Sequence, residues 1–150
     1  MRASDIFEDA RDASWELFRH DLRYNAMERI ALSLGASSEV KVSSGSIRDR
    51  MSAVDGLVDY GSMMERREAE WCRRIDLAES ILYGTDWEHG IASSLGLGYA
   101  EVLECIYIQR MSLSATATRT KFSKSTVQRM RRRAFGHIDR VGADAAIAGR

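Results

Sequence analysis

Proline is absent from the 150-residue chain, so nothing removes a backbone donor inside a helix, and helices can run long without interruption. Cysteine is nearly absent too. Cys72 and Cys105 cannot build a disulfide framework and match no CxxC metal spacing, which points to a reducing cytoplasm. No apolar run approaches the roughly 18–20 residues that span a bilayer, which excludes a membrane-spanning protein and gives no membrane partner. The first residues, Met-Arg-Ala-Ser-Asp-Ile-Phe-Glu-Asp, place acids where a signal peptide would carry its apolar stretch. Enzyme signatures are missing as well: no GxSxG, no P-loop, no HExxH, no Gly-rich strand-to-helix turn. His20, His89 and His137 stand singly. The acids Asp5/Glu8/Asp9 and Glu101/Glu104 fall at helix starts, where the helix dipole accounts for them. The chain is therefore expected to be no enzyme, with no cofactor and no metal site.

What is present is an uneven charge distribution. Lys plus Arg and Asp plus Glu both total 22, for a net charge of zero. Residues 1–109 nevertheless hold 12 basic and 20 acidic side chains, whereas residues 110–140 hold nine basic ones against Asp139 alone. A solvated helix face mixes both signs; this segment does not, and it predicts contact with a polyanion.

Hydrophobic spacing predicts an all-α protein: a long N-terminal antiparallel helical hairpin followed by a small C-terminal helix-turn-helix bundle. The first helix is expected from about Ser4, as N-cap, to Leu34. Its seam is Ile6, Ala10, Ala13, Leu17, His20, Tyr24, Met27, Ala31 and Leu34, spaced alternately by four and three. Phe7, Trp15, Phe18, Leu22 and Ile30 add a second apolar flank, so this helix needs more than one neighbour. His20 is expected to pack rather than to ligate. Residues 35–46 read as a loop, with Gly35 a left-handed cap and Ser46/Asp49 a capping signal. The next helix is expected to reach Tyr83 and stop at Gly84, with Ile47, Met51, Val54, Val58, Gly61, Met64, Trp71, Ile75, Ala78 and Leu82 on its apolar side. Pairing of the two helices within one chain and again with a second copy, as a homodimer, both stay open.

The domain expectation is 1–84 for the hairpin, 85–141 for the helix-turn-helix and 142–150 for a frayed tail. Thr85 and Glu88 have capping-box spacing ahead of a short helix closed by Gly96. A helix from Tyr99 to about Gln109 follows. Ser112 caps a brief helix through about Thr120, Lys121-Phe122 turns, and Ser123 caps a last helix to about Val141. Projected at about 100° per residue from Val127, Met130, Ala134 and Ile138 all fall within about 60° of it. Ser125, Arg129 and Arg132 lie on the far side, with Gln128 and Arg133 at the margins. Ser125, Gln128, Arg129 and Arg132 are thus candidates for reading major-groove base edges. Lys121, Lys124, Arg131, Arg133 and Arg119 are candidates for phosphate contact.

The stretch Tyr99-Ala-Glu-Val-Leu-Glu-Cys-Ile-Tyr-Ile-Gln-Arg-Met-Ser112, then Ala117, Phe122-Ser-Lys-Ser-Thr-Val127 and Arg129 to Phe135, resembles region four of sigma-70-type factors. It is closer to phage late-gene transcriptional regulators of the ArpU/RinA type, which Ser43 to Met51 also resembles. The resemblance covers about residues 40–140 and is firmest over 99–138. It implies a phage or prophage regulator in a bacterial host cytoplasm, with Ser123 to Arg129 opening the recognition helix. Thr116 and Thr120 stand where that family has Ile or Leu. Their packing survives if each hydroxyl bonds a carbonyl one turn back. The expected function is a sequence-specific regulator binding double-stranded promoter DNA and recruiting RNA polymerase. The alternatives are a small-terminase-like packaging subunit and a sigma/anti-sigma-type protein adaptor.

Overall fold

A computed structural model of the chain describes the backbone of residues 1–36 and 44–150 and the side chains of 1–33 and 51–150. Every regular element among the described residues is helical. In chain order they are α1 (Ala3–Ala36), α2 (Ser44–Tyr83), α3 (Gly90–Ser94) and α4 (Leu97–Leu103), which continues as a π-helical turn (Glu104–Ile108). Then come α5 (Leu113–Thr120), α6 (Lys124–Val141) and α7 (Ala143–Ile147). The protein is all-α, and no described helix is long and apolar enough to cross a membrane.

Two compact units divide the chain: residues 1–15 with 71–150, and residues 16–70. This corrects the expected boundary at residue 84 between a 1–84 hairpin and an 85–141 helix-turn-helix domain. The first turns of α1 and the last turns of α2 belong with the C-terminal helices because their apolar side chains enter the same buried core. Phe7 is fully buried, and its ring meets Tyr107 at 5.5 Å and Phe135 at 5.6 Å, with Tyr107 and Phe135 at 5.7 Å. Such tilted aromatic pairs add roughly 0.5–1.5 kcal/mol each beyond area burial. Ile6 and Ala10 of α1, with Ile81 and Leu82 of α2, join Ile91, Leu103, Val127 and Ile138 in the same core.

Polar contacts fasten α1 as well. Asp139 Oδ1 accepts a 2.6 Å hydrogen bond from the Ala3 N–H, so the one acid of the basic segment caps the start of α1. Ser4 is therefore not the N-cap. The Arg2 carbonyl accepts from Asp5 N–H at 3.0 Å, and Asp5 Oδ2 accepts from Arg2 N–H at 3.2 Å. At the other side Arg110, at φ +58°, donates through Nη1 to the Ser14 carbonyl at 3.0 Å and stacks over Trp15 at 5.2 Å. Ser14 Oγ donates to the Ile108 carbonyl at 2.7 Å.

α1 continues through Gly35 to Ala36, so Gly35 is not its terminator. Residues 37–43 of the expected loop lie outside the described residues, as do the side chains of Ile47 and of the expected Ser46/Asp49 cap. Gly84 ends α2 as expected, at φ +76°, its N–H bonding Ser80 O at 2.8 Å. The Thr85/Glu88 capping box does not form. Asp86 organises that turn instead, accepting from Glu88 N–H at 3.1 Å and pairing with His89 Nδ1 at 2.6 Å. Its carboxyl sits below the usual range, first because of that backbone bond and then because of His89. The helix expected from Tyr99 begins at Leu97, and its π turn bonds Gln109 N–H to Glu104 O at 2.9 Å. Within this turn three successive side chains, Cys105, Ile106 and Tyr107, are all buried. The 142–150 tail is ordered: α7 buries Ala146, and His137 Nε2 meets the Arg150 carbonyl at 3.0 Å.

Within residues 16–70, α1 and α2 lie side by side. His20 is buried and stacks on Tyr60 at 5.4 Å, and Arg23 lies over the same ring at 5.0 Å. A Cβ at Gly61 would be 3.9 Å from the Tyr24 ring. The pairing is antiparallel by chain reach. Parallel helices with His20 beside Tyr60 would separate Ala36 from Ser44 by about 48 Å, against about 29 Å for eight extended residues. Met51, Val54 and Val58, expected on the apolar side, are exposed, as are Leu22 and Ile30. Two helices bury only the face each turns to the other.

Candidate nucleic-acid interface

The C-terminal segment folds as α5, a three-residue turn and α6. Ser112 caps α5, its Oγ accepting from Ala115 N–H at 3.1 Å. Lys121 ends that helix in the left-handed conformation, φ +59° and ψ +22°. Ser123 then caps α6, its Oγ accepting from Thr126 N–H at 3.2 Å. Each cap satisfies an N–H that lacks an intrahelical partner, a contribution of about 1 kcal/mol. The two serines thereby place both ends of the turn.

α6 buries Val127, Met130, Ala134 and Ile138, the same four residues that projection placed on one stripe. Gly98 of α4 lies against this corner: a Cβ there would stand 3.4 Å from both Met130 Cε and the Phe122 ring. α5 packs through Thr116, which is fully buried. Thr120 Oγ1 donates to the Thr116 carbonyl at 2.7 Å, one turn back. The Thr116 hydroxyl itself has no hydrogen-bond partner.

The candidate base-reading side chains fall on the opposite face. Ser125, Arg129 and Arg132 are exposed and Gln128 is half-buried. The Ser125 hydroxyl is 3.0 Å from Ser123 Oγ, so it is held locally at the start of the helix. Lys121 and Lys124 are exposed at the turn and the first turn of α6.

Three of the nine basic residues have intramolecular employment that sequence spacing did not reveal. Arg110 is tied to Ser14 and Trp15, as above. Arg131 is half-buried beside the Tyr107 hydroxyl, whose pKa lies above the ordinary phenol value chiefly through burial, with Arg131 opposing. Arg133 is exposed but lies over the Tyr99 ring at 5.9 Å. Arg119, also exposed, lines a cavity with Glu101 and Glu104 rather than standing among the cations of α6. These partners lie tens of residues away in sequence, so no helical periodicity links them. Exposed positive charge on the turn and α6 thus falls on Lys121, Lys124, Arg129, Arg132 and Arg133, with Arg140 at the far end of the helix. Among the described residues no group of three or more ligating side chains could hold a metal ion.

The site belongs to a helix-turn-helix within an all-α protein. No known protein family, curated protein or solved structure matches the chain.

Proposed function

We propose that the chain is a sequence-specific double-stranded-DNA-binding transcriptional regulator of phage or prophage type. The observation that carries this is the double character of α6. One stripe is buried to the last residue, and the other face presents Arg129, Arg132, Gln128 and Ser125 just after a lysine-bearing turn. Arg pairs bidentately with guanine and Gln with adenine, each at about 1–3 kcal/mol of discrimination. Lys121 and Lys124 hold register on phosphates, and Arg133, steadied by Tyr99, adds a third contact. The resemblance to ArpU/RinA-type regulators supports the same role. In this proposal α6 grips promoter DNA while the acidic α1–α2 helices pair with a second copy or meet RNA polymerase, in the cytoplasm of a bacterial host.

The test is fluorescence anisotropy on duplexes from the chain's own genomic neighbourhood, with random duplex as competitor, at several salt concentrations. Binding should survive the competitor and fall with salt at a log–log slope of about −3 for three neutralised phosphates. Equal, weak binding to every duplex would refute sequence-specific regulation. A closed ring of eight or more subunits would favour a packaging subunit instead, and salt-insensitive binding to a protein would favour an adaptor.

A further inference from the structure

A second surface, opposite in charge to α6, lies where the end of α2 meets α4 and the π turn. Trp87 is 71% exposed and sits at φ +64°, its indole stacked on Tyr83 at 5.3 Å and 20°. Acid-lined cavities flank this aromatic pair. One, of about 210 Å³, is bordered by Tyr83, Glu101 and Glu104; the other, of about 190 Å³, by Trp87, Asp76 and Glu79. Among the described residues none of these four carboxylates has an ion-pair partner. Among the described residues Arg119 is the one cation lining either cavity, beside Glu101 and Glu104. Glu104 is held in place by the Tyr83 hydroxyl and by Gln109 Nε2, the latter at 2.7 Å. The Glu79 carboxyl is raised above its usual value by burial first and then by Asp76 and Glu104, which places the acids of both cavities within each other's field.

An exposed aromatic ledge beside carboxylates that have no ion-pair partner among the described residues has the chemistry of guanidinium recognition. The plane stacks on the indole while the N–H fork meets carboxylate oxygens. Nucleic acid is repelled by the same charges. We propose that the Tyr83/Trp87 ledge and its four carboxylates form a docking surface for an arginine-bearing segment of a protein partner. It is independent of DNA binding by α6 and does not rest on it. Arginine should outcompete lysine, because an ammonium neither stacks nor forks.

The experiment uses the full chain, ¹⁵N-labelled, with the Trp87 indole N–H resonance assigned by Trp87→Phe. It is titrated with the peptides acetyl-GRGRG-amide, acetyl-GKGKG-amide and acetyl-GQGQG-amide. The arginine peptide should shift the Trp87 signal saturably, the lysine peptide should bind several-fold more weakly, and the glutamine peptide should leave the signal in place. Glu79→Gln with Glu101→Gln should weaken arginine-peptide binding at least tenfold. Glu65→Gln with Glu68→Gln, an equal charge change on exposed α2 positions, should stay within twofold. Absence of a saturable shift, or equal weakening by both double variants, would overturn the proposal. So would a Trp87 shift produced by diluting the protein alone, which would assign the ledge to self-association.

Discussion

Thr116→Val isolates the least comfortable atom in the helix-turn-helix. Thr116 is fully buried and its hydroxyl has no partner, so the folded state bears the desolvation of a hydroxyl, about 1–3 kcal/mol. Valine has nearly the same shape, replaces that hydroxyl by a methyl, and matches threonine in helix propensity. The Thr120 hydroxyl bonds the backbone carbonyl at 116, so that contact survives the change. The variant should gain about 1–2 kcal/mol, or about 2–8 °C in Tm at the 2–4 °C per kcal/mol typical of this chain length. Urea denaturation followed by circular dichroism reads the first figure and calorimetry the second. Thr116→Ser keeps the hydroxyl, loses the methyl, and should be destabilised. A valine variant no more stable than the parent would refute the reasoning, because it would mean that the hydroxyl is satisfied or that the site cannot accept a methyl.

Gly90→Ala should cost at least about 3 kcal/mol, seen as a large fall in urea midpoint, because the new Cβ would lie 2.6 Å from Leu82 and Gly84 backbone atoms at φ +76°. Unchanged stability would show that the α2–α3 corner is looser than described. Arg129→Ala should lower the ratio of specific to random DNA binding by about 1–3 kcal/mol, whereas Lys124→Ala should weaken both alike; anisotropy on the two duplex classes separates these, and equal losses for both variants would contradict the roles. Alkaline pH should also destabilise the fold. Burial and the Glu104 hydrogen bond hold the Tyr83 phenol above its ordinary value, and burial raises Tyr107. A raised phenol pKa favours the folded state fully below the unfolded value of about 10 and loses that contribution above it. Stability measured from pH 8 to 11 should therefore fall beyond about 10, and Tyr83→Phe should flatten the fall. A curve the variant does not change would exclude Tyr83 as the titrating group.

The long helices, the two serine caps, the Gly84 stop and the Val127/Met130/Ala134/Ile138 stripe were legible in the amino-acid sequence, whereas α7 was not. Each depends on residues within a few turns of one another, where backbone chemistry and the 3.6-residue repeat suffice. The fate of the arginines was not legible. Arg110, Arg131 and Arg133 look alike in a basic run, yet Ser14 and Trp15, Tyr107 and Tyr99 engage them from other helices. The same limit explains the residue-84 boundary. Phe7 reads as flank of the first helix and Leu82 as apolar side of the second, but tertiary packing assigns both to the core of the C-terminal helices. Met51, Val54 and Val58 share that spacing, and two-helix packing leaves them exposed.

The sequence by itself determined where α5 and α6 start, which face of α6 is apolar, and that positive charge gathers at one end of the chain. Those are local properties of neighbouring side chains and their backbone. Only the tertiary structure decided which cations stay exposed, that Asp139 caps a helix 136 residues before it, and that a π turn carries Glu104 to Tyr83. It also decided that acids from α2, α4 and the π turn line two cavities beside the stacked Tyr83/Trp87 pair. Charge and hydrogen bonding act through space, and chain order is silent about which distant groups folding brings within a few ångströms.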